Sequence, residues 1–294
     1  MKLSERLDVS IAPLFIVERD GAETVFKSVI RFIKAEFPES RAVGKRPIDA
    51  GKLSPEQLSD LADEYQPKSP NKIIEWALRR YGTDCAIAFS GAEDVVLIDM
   101  AAKSGLPFSV FCLDTGRLHP ETYRFIDRVR EHYGIDIRMM APLTEPLQAF
   151  VRKKGLFSFY EDGHPECCGV RKLEPLKRAL APQRAWVTGQ RKDQSPATRG
   201  DIDVIGLDES HHNQAGQLIK CNPLANWTSQ EVWEYIRDND VPYNELHDQG
   251  FISIGCEPCT RASRPGEHER AARWWWELAT QRECGLHSEA LQSS

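Results

Sequence analysis

Eight cysteines stand at positions 85, 112, 167, 168, 221, 256, 259 and 284. Four of them form two tight pairs, Cys167-Cys168 and Cys256-x-x-Cys259. Cys-x-x-Cys is a metal-chelating spacing, and four thiolates suit zinc or an iron–sulfur cluster. Adjacent residues hold their Cα atoms only about 3.8 Å apart. Placing both thiolates of Cys167-Cys168 on one tetrahedral ion is therefore strained. A cubane offers each thiolate its own iron, so geometry prefers the cluster without excluding zinc. The competing reading, small buried hydrophobes, sits poorly with the close pairing. Cys284 is different. It lies in Glu-Cys-Gly-Leu-His, with no partner at metal-ligand spacing. A polar-flanked thiol near His287 is a nucleophile if its pKa is lowered. Against that stands an incidental cysteine in a frayed tail.

Cations gather beside these thiols: Arg171 and Lys172 after the first pair, then Arg199, then Arg261, Arg264, Arg270 and Arg273 after the second. In a chain of net charge −6, that concentration points to an anionic small substrate. For any one arginine a solvated helix face with i, i+4 pairs, such as Glu269–Arg273, explains it equally simply. Ser90-Gly91-Ala92-Glu93-Asp94 joins an apolar run to a helical one, and free N–H groups at a helix start favour an anion. It is not a P-loop, because no Gly-Lys-Ser/Thr follows, and it lacks the glycines of a dinucleotide fingerprint. Trp274-Trp275-Trp276 is expected mid-helix, with one or two indoles packed in the core. His211 and His212 have no second ligand pair and receive no metal role.

These residues need a scaffold, and the pattern from Cys85 supplies one. Short apolar runs (CAIAFS, FSVFCL, IDIRMM, RAWVTG) alternate with helical stretches (EDVVLIDMAAKSG, HPETYRFIDRVREHYG, EPLQAFVRKKG, GVRKLEPLKRALA). Alternation implies an α/β fold, a mostly parallel sheet with helices on both faces. Such sheets bind ligands at the carboxyl ends of their strands, which places Ser90-Gly91, Asp114-Thr115-Gly116 and Thr188-Gly189 on one rim. Helix starts are expected at Ser54-Pro55 and Ser69-Pro70. After Arg199 the order loosens, then SQEVWEYIRDND and GEHERAARWWWELATQ read as helices. Residues 1–50 read as an N-terminal appendage, with a strand at PLFIVER and a helix over 22–37. The main domain is expected over 51–276 and a mobile tail carrying Cys284 over 277–294.

Composition narrows the classes. With 38 Lys plus Arg against 44 Asp plus Glu, the chain is too acidic for a broad duplex-DNA surface. No apolar run approaches the ~18 residues of a membrane span. Residues 9–17 lack a cleavage site after them, so a cytoplasmic location is expected. There, eight cysteines favour metal binding or chemistry over disulfides.

Taken together and in order, SGAEDVVLIDMA, LDTGRLHPETY, ECCGVRKLEPL, TGQRKDQSPATR, GFISIGCEPCTR, RPGEHERAARWWWE and ECGLH resemble the assimilatory adenylyl-sulfate (APS) reductases. These form the cluster-bearing branch of the APS/PAPS reductase family, of adenine-nucleotide α-hydrolase-like (PP-loop) fold. The likeness covers about residues 69–288. It implies reduction of adenosine 5′-phosphosulfate to sulfite and AMP, with thioredoxin as electron donor. It implies a [4Fe–4S] cluster on Cys167, Cys168, Cys256 and Cys259, and an S-sulfocysteine intermediate on Cys284. By the same likeness Lys172, Arg199, Arg270 and Arg273 match substrate-binding positions. Ser90, Glu93 and Asp94 match a modified phosphate loop, Gly189 and Arg171 line the nucleotide site, and His287 orders the tail. A homo-oligomer is also implied. The generic pyrophosphatase loop of this fold has a second glycine and a serine where Ala92 and Val95 stand, which argues against ATP cleavage. The alternatives are a PAPS reductase that keeps a cluster, an ATP-using enzyme of this fold, and a structural zinc module.

Overall fold

The computed structural model describes residues 15–19, 22–26, 32, 51–195, 199–211 and 213–277. Cys284, His287 and His212 therefore lie outside the described residues. Two sheets are present among them: a two-stranded ribbon and a six-stranded sheet.

The ribbon pairs β1 (Phe15–Arg19) with β2 (Ala22–Phe26) antiparallel. This corrects the helix expected over 22–37, since residues 22–26 are strand. The apolar spacing there fits both periods, and the Asp20-Gly21 pair between the strands is a hairpin signal that outweighs it. Phe32 stacks on Phe15 with centroids 4.5 Å apart.

The main body begins with α1 (Pro55–Tyr65) and α2 (Pro70–Tyr81), each started by a serine and a first-turn proline. At α1 the box closes both ways: Ser54 Oγ accepts from the Gln57 N–H, and Gln57 Oε1 from the Ser54 N–H. Strand and helix then alternate through β3 (Cys85–Phe89), α3 (Ala92–Ser104), β4 (Ser109–Leu113), α4 (Pro120–Tyr133), β5 (Arg138–Met140) and α5 (Thr144–Lys154). A helical run follows in three pieces, α6 (Pro165–Cys168), a π turn (Gly169–Leu173) and α7 (Glu174–Leu180). Pro175 has no N–H to give the preceding turn. The Glu174 N–H reaches back five residues to the Gly169 carbonyl instead, and the widened turn absorbs the proline. β6 (Ala185–Val187), β7 (Ile205–Leu207), β8 (Ile219–Cys221) and α8 (Ser229–Asp238) complete the body. β7 and β8 went unread in the sequence because each is three residues long and no helical stretch follows β7 to mark a strand–helix unit.

The sheet order is β5-β4-β3-β6-β8-β7, parallel except for β7 against β8. The central β3 is buried on both faces, as parallel strands require. α3 is buried from Ala92 to Ala101 save Glu93, so it is apolar nearly all round, the pattern of a core helix. Asp99 is its buried exception. It accepts from Tyr133 Oη at 3.1 Å and Tyr235 Oη at 2.7 Å, and pairs with Lys103 at 2.6 Å. One carboxylate thus pins α4 and α8 to the central helix. Among the described residues no helix is long and apolar enough to cross a membrane.

Beyond Gly266 the expected helix does not form. Residues 266–277 are turns, with Thr260 bridging Arg273 and Trp274 at a φ of 44°. Pairing of Arg273 with the Cys256–Cys259 loop outweighs a helical propensity that three bulky indoles make weak.

Replacing Asp99 with alanine strands the buried Tyr133 hydroxyl and the half-buried Tyr235 hydroxyl, and should lower the unfolding free energy by about 3 kcal/mol. Urea denaturation measures this; a loss under about 0.5 kcal/mol, the level of ordinary surface changes, would show that Asp99 does not tie these helices.

Candidate active site

The carboxyl ends of β4, β3 and β6 lie side by side, as the alternation predicted, and a cavity of about 210 Å³ opens there. Its floor is apolar, from Phe111, Leu176 and Trp186. Trp186 is fixed from behind: its indole N–H donates to Asp208 at 2.7 Å, and Asp208 also takes the His211 N–H. One wall is the turn entering α3. The lining also carries Lys172, Arg199, Arg270 and Arg273. The four predicted substrate cations, drawn from three distant stretches of chain, therefore line one cavity with Ser90, Glu93, Asp94 and Gly189.

The turn is held by Asp94. Its Oδ2 accepts from the Ser90 N–H and Oγ, both 2.8 Å, and from the Gly91 N–H at 3.1 Å; its Oδ1 accepts from the Gly189 N–H at 3.0 Å. Burial and the Glu93 carboxylate push the Asp94 acid up to about 6, against the pull of its donors. Gly189 is required by contact: a Cβ there would stand 2.6 Å from Asp94 Oδ1 and 2.6 Å from Glu93 Cβ.

Arg191 is the residue that sequence reasoning missed. Only 1% exposed, it donates to Glu93 Oε1 at 3.1 Å from both Nε and Nη2, to Glu269 Oε2 at 2.9 Å and to Asp193 Oδ2 at 3.0 Å. Glu269 is thus held by Arg191. The available signal was an arginine two residues past the Thr188-Gly189 strand end. Gly255 is a second close approach, because a Cβ there would collide with the Arg273 guanidinium.

Beside the cavity lies a small chamber lined by Cys167, Cys168, Cys256 and Cys259. All four are buried and belong to one cluster with Phe159 and Trp274. The first pair comes from α6; the second lies on a loop tied to the β4–α4 connection, where the Glu257 N–H donates to the Arg117 carbonyl at 2.8 Å. Cys256 Sγ donates to Thr115 Oγ1 at 3.2 Å. Arg117, Arg171 and Lys172 line the chamber as well. Arg171 sits in the chamber wall and donates to the Thr115 carbonyl at 2.6 Å, so it faces the thiols and is not among the residues lining the larger cavity. Burial pushes the Cys259 thiol up to about 12 and raises Cys167, with the neighbouring cations opposing. Cys85, Cys112 and Cys221 are core thiols, and burial pushes Cys85 and Cys112 to about 12.

Among the described residues no three His, Cys, Asp or Glu side chains are grouped to hold a metal ion. The four thiols line the chamber, and among the described residues Arg117 Nη1, Arg171 Nε and Trp274 Nε1 on the same lining are buried without a hydrogen-bond partner, a donor set that would fit a polynuclear group. Such N–H groups suit cluster sulfides. Lys172, Cys256 and Trp274 line both spaces. The Lys172 ammonium lies 5.7 Å and the Arg273 guanidinium 4.5 Å from the Trp274 ring centroid.

With this geometry in view, the comparisons place the chain. Residues 84–262 match the phosphoadenosine phosphosulfate reductase domain. A solved relative is the phosphoadenylyl-sulfate (PAPS) reductase from Candida auris in complex with phosphate. It has a TM-score of 0.61 and 31% identity, over 72% of this chain and 100% of that one. The chain belongs to this reductase family and is an enzyme. Within it, the chain is 57% identical over 239 residues to the adenosine 5′-phosphosulfate reductase of Pseudomonas aeruginosa (strain LESB58), covering 81% of this chain and 90% of the relative. It is also 57% identical over 297 residues to the chloroplastic 5′-adenylylsulfate reductase 3 of Arabidopsis thaliana, covering 100% of this chain and 64% of that protein.

Gly189→Ala should destabilise the fold by about 1–3 kcal/mol, the usual penalty of overpacking, by prising the end of β6 from the α3 turn. Thermal unfolding reads the effect; an unchanged value would mean that the turn yields without cost.

Proposed function

We propose that this chain reduces adenosine 5′-phosphosulfate to sulfite and AMP in sulfate assimilation, in a reducing compartment, with thioredoxin as the electron donor. The observation that carries the reading is one cationic cavity at the carboxyl ends of β4, β3 and β6 that shares Lys172 with a four-cysteine chamber. An apolar floor beneath four cations matches a nucleotide: an aromatic base, with a phosphate and a sulfate to be neutralised. The names of the bacterial and plant relatives support APS as the substrate.

In this reading the Cys284 thiolate attacks the sulfate sulfur. The S–O bond to AMP breaks, and Cys284 becomes an S-sulfocysteine. Two anions must meet in that step. Lys172, Arg199, Arg270 and Arg273 screen them and stabilise the leaving phosphate. His287 orders the segment that carries Cys284. A donor thiolate then attacks Cys284 Sγ, sulfite leaves, and the donor's second thiol resolves the mixed disulfide. The donor's two thiols supply both electrons. Cys167, Cys168, Cys256 and Cys259 would hold a [4Fe–4S] cluster, which would supply a fixed charge beside Lys172 and a rigid frame for the shared wall. Lys172 acts between the two sites, its ammonium aligned by Trp274.

The deciding experiment is the anaerobic reaction of purified protein with APS and no reductant, followed by intact mass. One added sulfonate is expected, and none in Cys284→Ser. A wild-type protein that stays unmodified by APS but is sulfonated by the 3′-phosphorylated nucleotide would move the chain to PAPS reduction, the activity in the name of its solved relative.

Lys172→Ala should lower kcat/KM for APS by about 100-fold or more, the scale of losing one donor to a developing charge. Turnover equal to wild type would remove Lys172 from the mechanism.

A further inference from the structure

Nine large hydrophobic side chains are exposed among the described residues. Three are neighbours in space, Phe157 (58% exposed), Tyr160 (43%) and Trp275 (36%), and Leu156 (53%) adjoins Phe157 in the chain. Phe157 and Tyr160 are stacked with centroids 6.4 Å apart, and Tyr160 lies 6.5 Å from Trp275. Single exposed apolar residues are ordinary, but a contiguous aromatic group marks a contact surface.

The face is firmly mounted. Tyr160 Oη donates to the Pro258 carbonyl at 2.7 Å, inside the second cysteine pair, and the Tyr160 ring meets Trp276 edge-on at 4.5 Å. The Trp276 indole N–H donates to the Phe159 carbonyl at 3.0 Å. The Arg117 guanidinium lies 5.2 Å from the Phe157 centroid. Rigid aromatic anchors lose little entropy when a partner binds.

The position of the face identifies its occupant. Trp275 precedes Glu277 by two residues, and Cys284 follows Glu277 by seven. Glu277 is itself tied down, accepting the His164 N–H at 2.8 Å and meeting His164 Nδ1 at 2.6 Å. Seven residues span about 25 Å at full extension. Any protein whose thiol meets Cys284 outside the cavity must therefore dock within that radius of Glu277, and the aromatic face adjoins Glu277 through Trp275, two residues before it. We propose that Leu156, Phe157, Tyr160 and Trp275 form the docking surface for the dithiol protein that releases sulfite. The inference rests on the S-sulfocysteine reading above. The docked partner's thiolate attacks Cys284 Sγ; the bond to the sulfonate breaks and sulfite departs with its electron pair. The partner's second thiol then attacks the mixed disulfide, leaving the Cys284 thiolate and an oxidised partner. A small, aromatic, transient interface suits a donor that must leave after each turnover.

Leu156→Ser and Phe157→Ser in the full-length holoprotein test this with reduced thioredoxin as the probe. The two variants disturb different contacts, so a folding defect in one leaves the other informative. Formation of the sulfonate adduct from APS should be unchanged, as should its release by dithiothreitol. The KM for thioredoxin should rise about tenfold, equivalent to about 1.4 kcal/mol. An unchanged thioredoxin KM in both variants overturns the proposal. So does a change of mass in solution, which would assign the face to a second copy of this chain. Slower adduct formation overturns it too, because the face would then serve residues 278–294. If wild type forms no adduct at all, the Cys284 reading itself falls, and the docking assignment with it.

Discussion

A guanidinium buried to 1% exposure has to be paid for by carboxylates, and Arg191 is met by three, Glu93, Asp193 and Glu269. Breaking such a pairing leaves an uncompensated buried charge, a penalty of several kcal/mol. The arrangement is therefore close to all-or-none. Glu93 belongs to the α3 turn, Asp193 to the segment after β6, and Glu269 to the irregular stretch that also carries Arg270 and Arg273. Satisfying one side chain brings together the three segments that surround the cavity. The sheet makes a rim, and Arg191 closes the third side of it.

The same economy governs the charges. Arg270 and Arg273 line the cavity although Glu269 is their near neighbour in sequence. Glu269 itself accepts from Arg191 at 2.9 Å. Asp94 likewise spends its acceptors on Ser90, Gly91 and Gly189. Both acids at the site thus hold backbone and side chains in place around the cavity. A chain of net charge −6 can present a locally positive cavity.

The parallel core was legible in the sequence because its signals are local: apolar runs of four to six residues, helices stopped by Gly105 and Gly134, serine caps before proline. The strand-end rim followed from topology alone. The two cysteine pairs were legible through spacing, and the convergence of Lys172 with Arg199, Arg270 and Arg273 through the family resemblance. What escaped depended on partners distant in sequence. Arg191 reads as any surface arginine until Glu93 and Glu269 are placed. Residues 266–277 read as a helix until Arg273 is seen bridging Thr260. Arg171 reads as a twin of Lys172, yet adjacent positions on a helical turn point about 100° apart, and only Lys172 lines both spaces. Residues 22–26 show the opposite failure, a local hairpin cue outvoted by a longer apolar stripe.

The shared wall explains why two sites are placed so close. Trp274, in the left-handed region at a φ of 44°, is costly for a bulky residue. The conformation is held from every side: the Trp274 N–H donates to the Cys259 carbonyl at 3.1 Å, His164 stacks on the indole at 4.4 Å, and Arg273 lies over its ring. The strain turns the chain so that successive tryptophans face different spaces. Trp274 lines the cavity and the chamber, Trp276 packs under Tyr160, and Trp275 reaches the surface. In the proposed reaction one sulfur has to visit the cavity and then the donor. A root anchored at Glu277, between the cationic cavity and the aromatic face, keeps both stations within one short tether. A longer segment would lower the effective concentration of the thiol at each station, so the compact wall is as much a kinetic device as a structural one.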